Sequence, residues 1–143
     1  MDTIALEINL PTSLEVSWRF VTDPIHLKAW FGEHVSLDAK LGGEFREVWS
    51  QGGRQVVTTG RVEEYQPPSA IAWTWRDDNW TAQTRLRLTF SALPEGTGVR
   101  LVHLGWSSFP VPLGEKLRTA HAEGWRQHLE NLRCYATQHS IGR

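Results

Sequence analysis

Three features that would point to particular classes of protein are scarce or missing in this sequence. The only cysteine, Cys134, cannot form an internal disulfide, which fits a reducing compartment. No stretch approaches the roughly 18 apolar residues of a membrane span. Residues 1–5 lack the basic start and apolar centre of a signal peptide. We therefore expect a cytoplasmic protein with no membrane span.

An excess of charge of one sign is also missing. The 15 basic and 16 acidic residues give a net charge of −1 and are spread evenly along the chain. Without a basic stripe, nucleic acid and anionic membrane surfaces are not expected as partners. The length of 143 residues and the apolar content of 40% predict one globular domain over residues 1–143.

Tryptophan, in contrast, is abundant, with eight Trp against two Tyr and five Phe. An indole ring fills a large volume and carries one N–H group that needs a partner when it is buried. Two overlapping interpretations follow. The rings either fill the core beneath a strongly curved sheet, or several of them line a cavity.

The chain begins with a strand and two short helices. Residues 3–9 alternate between apolar and polar side chains, which predicts a strand. Ser13 can cap a following helix of about ten residues. Asp23 and Pro24 provide the cap and first-turn proline of a second helix. Its apolar face carries Leu27, Trp30 and Phe31.

Period-two patterns between turn residues then predict a run of strands joined by short loops. These strands are expected near 34–38, 43–50, 54–65, 69–76, 81–92 and 97–106. Apolar residues at three- and four-residue steps predict one long helix over 113–138. The predicted fold is α+β: a curved antiparallel seven-strand sheet around a long C-terminal helix, with two short helices after strand 1.

Several short motifs occur in a recognisable order along the chain. They are Thr22-Asp23-Pro24 with Trp30-Phe31, Gly42-Gly43-Glu44-Phe45, Gly60-Arg61-Val62, Tyr65-Gln66-Pro67-Pro68, Ile71-Ala72-Trp73-Thr74-Trp75, Gly96-Thr97-Gly98 and Gly124-Trp125. In this order they resemble the activator of Hsp90 ATPase homologue 1-like family, within the START-like (Bet v 1-like) helix-grip superfamily. The resemblance covers about residues 4–137. It implies a cavity between the sheet and the long helix, in a superfamily that includes lipid carriers and cyclases.

The predicted cavity gives a list of candidate ligand-binding residues. Trp73 and Trp75 share one face of strand 69–76, where alternate aromatic rings form a flat apolar wall. The Trp30-Phe31 pair is expected near the mouth, as a gate. The full list of candidates is Trp30, Phe45, Trp49, Trp73, Trp75, His103, His121 and Trp125.

Two polar residues interrupt apolar rows of the predicted sheet. His103 is either a core histidine bonded to a backbone carbonyl or a group that orients a ligand. Glu47 lies between Phe45 and Trp49, and an unpaired carboxylate is costly to bury. It either pairs with Arg85 or Arg87 inside the cavity, or all three form ordinary cross-strand pairs on a solvated face.

The long helix carries a glycine and two histidines on its apolar stripe. Gly124 costs about 1 kcal/mol relative to Ala in a helix interior, so it indicates close backbone approach to the sheet or contact with a ligand. His121 and His128 are separated by about 10 Å of helix axis, too far for one metal shell with His103. No metal or other cofactor is expected.

Three functions are compatible with these observations. The first is non-enzymatic binding of a small hydrophobic or aromatic molecule. The second is a chaperone-type protein-interaction module that uses Trp30-Phe31 as an exposed anchor. The third is a cyclase- or hydrolase-like enzyme with His103 and Glu47 as acid and base. An open sheet edge and the surplus of tryptophan are also compatible with a homodimer.

Overall fold

Within the part of the chain that the structure describes, seven strands and three α-helices follow one another in the predicted order. A computed structural model describes residues 2–141; Met1, Gly142 and Arg143, which the predicted domain also includes, lie outside the described residues. The helices are α1 (Leu14–Thr22), α2 (Pro24–Trp30) and α3 (Leu113–Ile141). The strands are β1 (Thr3–Leu10), β2 (Val35–Leu37), β3 (Glu44–Gln51), β4 (Arg54–Gln66), β5 (Ala70–Asp77), β6 (Thr84–Leu93) and β7 (Gly96–Leu104).

The strands form one antiparallel sheet in the order β1-β7-β6-β5-β4-β3-β2. The register of β4 against β5 shifts between Val62 and Glu64, and such a bulge bends the bulged strand. Gly60 allows the two strands to approach, because a Cβ there would lie 1.7 Å from the carbonyl oxygen of Thr74. The predicted α+β architecture is thus confirmed.

The short helices start at the predicted caps. The Ser13 hydroxyl accepts a hydrogen bond from the Val16 amide at 3.3 Å. The Asp23 carboxylate accepts one from the Ile25 amide at 2.9 Å, with Pro24 in the first turn. Sequence patterns do not predict the 3-10 helix at Trp106–Ser108, which joins β7 to α3.

Helix α3 covers the sheet with a narrower stripe than the sequence predicts. Its most buried apolar residues are Ala122, Trp125, Leu129, Leu132 and Ala136. Gly124, which the predicted stripe includes, is exposed instead. No helix within residues 2–141 combines the length and apolar character needed to cross a membrane.

The expected exposure of the Trp30-Phe31 pair is wrong. Trp30 is 7% exposed and Phe31 is 6% exposed, and both belong to the core. The Trp30 indole nitrogen donates a 2.8 Å hydrogen bond to the carbonyl oxygen of Phe20 at the end of α1. The face of α2 that carries these rings packs inward, so the pair provides neither a gate nor an exposed anchor.

Candidate functional site

The interior between the sheet and α3 is almost completely filled. The enclosed void that remains has a volume of about 10 Å³, which leaves room for no more than a water molecule. Trp30, Phe45 and Trp73 line this void together with Trp125. Phe45 stacks on Trp73 with ring centroids 5.3 Å apart. A large closed apolar cavity is therefore not confirmed.

A cleft between strands β3–β5 and the middle of α3, next to this filled interior, does hold open volume. Its volume is about 380 Å³, within the range of about 300–1,000 Å³ that small-molecule sites occupy. The cleft is lined by Glu47, Trp49, Gln51, Thr58, Trp75, Asp77, Ala120, His121, Gly124, Trp125 and His128. Three of these residues are tryptophans, so the cleft combines aromatic walls with acidic and imidazole groups.

One row of side chains across three strands forms the polar floor of the cleft. Glu47 of β3 is the register partner of Thr58 of β4, and Thr58 is the partner of Asp77 of β5. The Trp49 indole nitrogen donates to the Thr58 hydroxyl at 3.0 Å. Since an indole can only donate, the Thr58 hydroxyl accepts this bond and donates its own hydrogen bond to Asp77 Oδ1 at 2.6 Å.

Both carboxyl groups of this row are difficult to ionise. Burial raises the pKa of Glu47, and the negative charge of Asp77 raises it further, although the hydrogen bond with His34 opposes this rise. Burial likewise raises the pKa of Asp77, against the hydrogen bond from Thr58. The Glu47 side chain is 12% exposed and Asp77 is 7% exposed. The floor of the cleft thus holds two carboxyl groups that lack full solvation.

Glu47 does not pair with either predicted arginine. Its Oε2 lies 2.8 Å from Nε2 of His34, just before β2. Arg85 pairs with Glu63 at 3.3 Å and Arg87 with Glu64 at 2.8 Å. Both arginines of β6 thus reach across β5 to carboxylates of β4, and Glu47 lines the cleft without either of them.

His103 is a core histidine with both ring nitrogens occupied. The Trp125 indole nitrogen donates to Nδ1 at 2.9 Å, so Nδ1 must accept and the proton resides on Nε2. Nε2 then donates to the Thr84 hydroxyl at 2.6 Å, and that hydroxyl donates to the Trp75 carbonyl at 3.0 Å. Burial holds the pKa of His103 well below its ordinary value. The predicted bond to a backbone carbonyl is replaced by this side-chain network, and His103 is not free to act as an acid or base.

Two of the histidines of α3, His121 and His128, line the cleft in neutral form. The carbonyl of Leu117 lies 2.8 Å from Nδ1 of His121, so Nδ1 donates and Nε2 is left as an acceptor. Burial lowers the pKa of His121 and lowers that of His128 to about 4. The His128 ring stacks on Phe31 with centroids 4.2 Å apart. Within residues 2–141, no group of three or more His, Cys, Asp or Glu is placed to hold a metal ion.

Gly124 faces open space rather than the sheet. A Cβ built on this residue would meet no atom within 4 Å apart from the helix's own nearby backbone. The predicted close approach of the backbone to the sheet is therefore wrong. Two lining residues also carry buried polar atoms with no hydrogen-bond partner among the described residues, Nε1 of Trp75 and Nδ1 of His128.

The structure divides the eight predicted site residues into three groups. Trp49, Trp75, His121 and Trp125 meet in the cleft. Trp30, Phe45 and Trp73 lie in the filled interior, and His103 is fully buried behind Trp125. Sequence reasoning missed Thr58 and Asp77 as site residues. Asp77 falls between the predicted strands 69–76 and 81–92, Thr58 lies within the predicted strand 54–65, and only the β3–β4–β5 register aligns them with Glu47.

Comparisons with known proteins agree with this architecture. Residues 11–137 match the sequence model of the family described as Activator of Hsp90 ATPase homolog 1-like protein. A search of curated proteins gives no significant match. Protein MLL2253 from Mesorhizobium loti has a similar structure, with a TM-score of 0.78, 21% identity, and coverage of 95% of this chain and 97% of that chain.

Two further solved structures are similar. CalU16 from Micromonospora echinospora gives a TM-score of 0.73 at 19% identity, covering 97% of this chain and 78% of that chain. The Aha1 dimer from Colwellia psychrerythraea gives 0.75 at 18% identity, with coverage of 93% and 94%. At such identities the likeness shows the fold alone, and it confirms the predicted helix-grip architecture.

Proposed function

The chain belongs to the activator of Hsp90 ATPase homolog 1-like family, and we propose that it binds a small aromatic or apolar molecule in the cleft between β3–β5 and α3. The observation that carries this proposal is the open volume of about 380 Å³ beside Trp49, Trp75 and Trp125. A ligand of one or two rings fits such a volume and can stack on the indoles.

Gly124 supports the same function. A glycine in the middle of a 29-residue helix costs about 1 kcal/mol relative to Ala, and no packing contact requires it here. Its missing side chain leaves the cleft wider at the helix wall.

Native mass spectrometry of freshly purified protein tests for a co-purifying small molecule. Titration with aromatic compounds, followed by tryptophan emission, then measures affinity, because three indoles line the cleft. Gly124→Leu should fill the cleft and weaken binding by at least about tenfold. Glu123→Leu places the same side chain on the exposed face of α3 and should leave affinity unchanged. Equal affinity in both variants would rule out this cleft as the site.

Two other expectations stay predictions. The residues expected to contact a chaperone-type protein partner, Trp30 and Phe31, are buried, so such a partner would have to use another surface. A homodimer could use either edge strand of the open sheet, β1 or β2. The oligomeric state in solution, measured by light scattering, tests the second expectation independently of the cleft.

A further inference from the structure

The charge distribution in the cleft is one-sided. Glu47 and Asp77 line it, whereas no lysine or arginine does so among the described lining residues. Arg54, a cation whose charge reaches Asp77, forms its ion pair with Asp78 at 3.7 Å. An anionic ligand would meet two carboxyl groups and no opposing charge, so the cleft disfavours it.

Each carboxyl group has an oxygen left for a ligand. Glu47 uses Oε2 for its contact with His34, and Asp77 uses Oδ1 for the bond from Thr58. Among the described residues, Oε1 of Glu47 and Oδ2 of Asp77 have no hydrogen-bond donor. Nε2 of His121 is a third free acceptor, because Nδ1 donates to the carbonyl of Leu117. The polar groups of the cleft are thus mainly acceptors, which complement a ligand rich in N–H donors.

The walls favour the same kind of ligand. Trp49, Trp75 and Trp125 present indole rings, and indole is the aromatic side chain that attracts cations best. A cation within about 6 Å of such a ring is stabilised by its quadrupole, more strongly where water is excluded. The acceptors on the floor and the indoles on the walls therefore both favour a positively charged ligand.

We infer that the ligand of this cleft is an organic cation, in which a small aromatic or apolar group carries an ammonium. This inference rests on the proposed function. The ammonium donates to the free acceptors on the floor, and the apolar body stacks on the tryptophans. A metal ion is not the cation, because no group of three or more ligating side chains is placed to hold one within residues 2–141. An ammonium has three donors and needs no fixed coordination geometry.

The electrostatics of the cleft are consistent with this assignment. Burial raises the pKa of Glu47 and of Asp77, and each is stabilised as a carboxylate by a nearby positive charge. A bound ammonium supplies that charge beside a floor that no described lysine or arginine lines. Binding therefore releases protons from these two groups at a pH near or below their raised pKa values.

Three probes with the same ring system and different charge test the inference. They are 1-naphthylmethylamine, 1-naphthylmethanol and 1-naphthoic acid, titrated into the whole protein by calorimetry at neutral pH. The amine should bind at least about tenfold more tightly than the alcohol, and the acid more weakly than either. The double variant Glu47→Gln with Asp77→Asn should lower amine affinity toward that of the alcohol and leave alcohol affinity unchanged. Glu63→Gln, which removes an exposed carboxylate paired with Arg85, is the matched control and should change nothing.

The outcomes separate this inference from the function on which it rests. If amine and alcohol bind equally well, the cleft is a ligand site without charge preference, and only the inference is overturned. If the double variant binds the amine as tightly as the wild type, the carboxyl groups are not its partners and the inference is again overturned. If none of the three probes binds, or if Gly124→Leu leaves their binding intact, the proposed function fails as well. Circular dichroism of the variants confirms that they are folded.

Discussion

The indole nitrogen of Trp125 donates a 2.9 Å hydrogen bond to Nδ1 of His103, and this contact fixes the tautomer of a fully buried imidazole. On the other side of the ring, Nε2 donates to the Thr84 hydroxyl at 2.6 Å. Strand β7 is therefore joined to α3 through the side chain of His103. His103 holds the helix against the sheet and leaves the chemistry of the cleft to other residues.

Removing either partner of His103 should destabilise the fold. Thr84→Val and Trp125→Phe each leave one buried ring nitrogen without a partner, at a cost of about 1–3 kcal/mol in the free energy of unfolding. Because both act through the same ring, the loss in the double variant should be smaller than the sum of the two single losses. Urea unfolding of the four proteins measures this difference. Additive losses would show that the two bonds are independent.

Gly124→Ala should stabilise the protein by about 1 kcal/mol, because alanine is the better helix former and the new methyl group meets no atom. The matched substitution in the same helix is Gly114→Ala, where a Cβ would lie 2.3 Å from the Trp106 carbonyl oxygen. That variant should lose stability. Thermal unfolding of both variants provides the comparison, and a loss of stability in both would contradict the open space at Gly124.

His128 should make the fold sensitive to acid. Burial lowers its pKa from 6.5 to about 4, so the folded state disfavours the protonated ring and stability falls as the pH drops through this interval. A shift of one pKa unit corresponds to about 1.4 kcal/mol, so the contribution of His128 to the free energy of unfolding is on the order of 3 kcal/mol. His128→Phe keeps a ring beside Phe31 and removes the titrating group. The stability of the variant relative to the wild type should therefore increase as the pH is lowered from 6.5 to 4, as measured by urea unfolding. Parallel pH profiles of the two proteins would contradict this role.

Asp77 should change the pH dependence of stability in the opposite direction to His128. Its pKa is raised above the ordinary value of 3.8 by burial, so the folded state holds the proton more tightly than the unfolded chain. The stability contributed by this group is present at low pH and is lost as the pH rises through the raised pKa. Asp77→Asn keeps an oxygen for Thr58 and cannot ionise. It should be more stable than the wild type at neutral pH, and the advantage should disappear on acidification.

Much of the fold follows from local patterns that the sequence displays. Ser13 and Asp23 start their helices because each provides a side-chain oxygen for an exposed amide of the first turn. The strands follow from period-two alternation between turn residues, and the predicted strand 54–65 is observed as Arg54–Gln66. Such signals act within a few residues, so they survive without knowledge of the tertiary structure.

The site depends on relationships that act across the chain. Periodicity shows that Trp30 and Phe31 share a face, but not which neighbour covers it, so their burial could not be predicted. Glu47 meets His34 because of the short β2–β3 pairing, in which Val35 lies opposite Glu47. The predicted cavity became a surface cleft because Phe45 and Trp73 fill the interior by stacking, a matter of side-chain shape rather than pattern.

The two walls of the cleft belong to distant parts of the polypeptide. The acidic floor is complete once residues 47–77 have paired, whereas the opposing wall comes from residues 120–128 of the final helix. During synthesis on the ribosome, the floor therefore emerges well before the segment that encloses it. Under the proposed function, a nascent chain can bind its ligand only after translation has passed α3, so recognition depends on completion of the helix rather than on formation of the sheet.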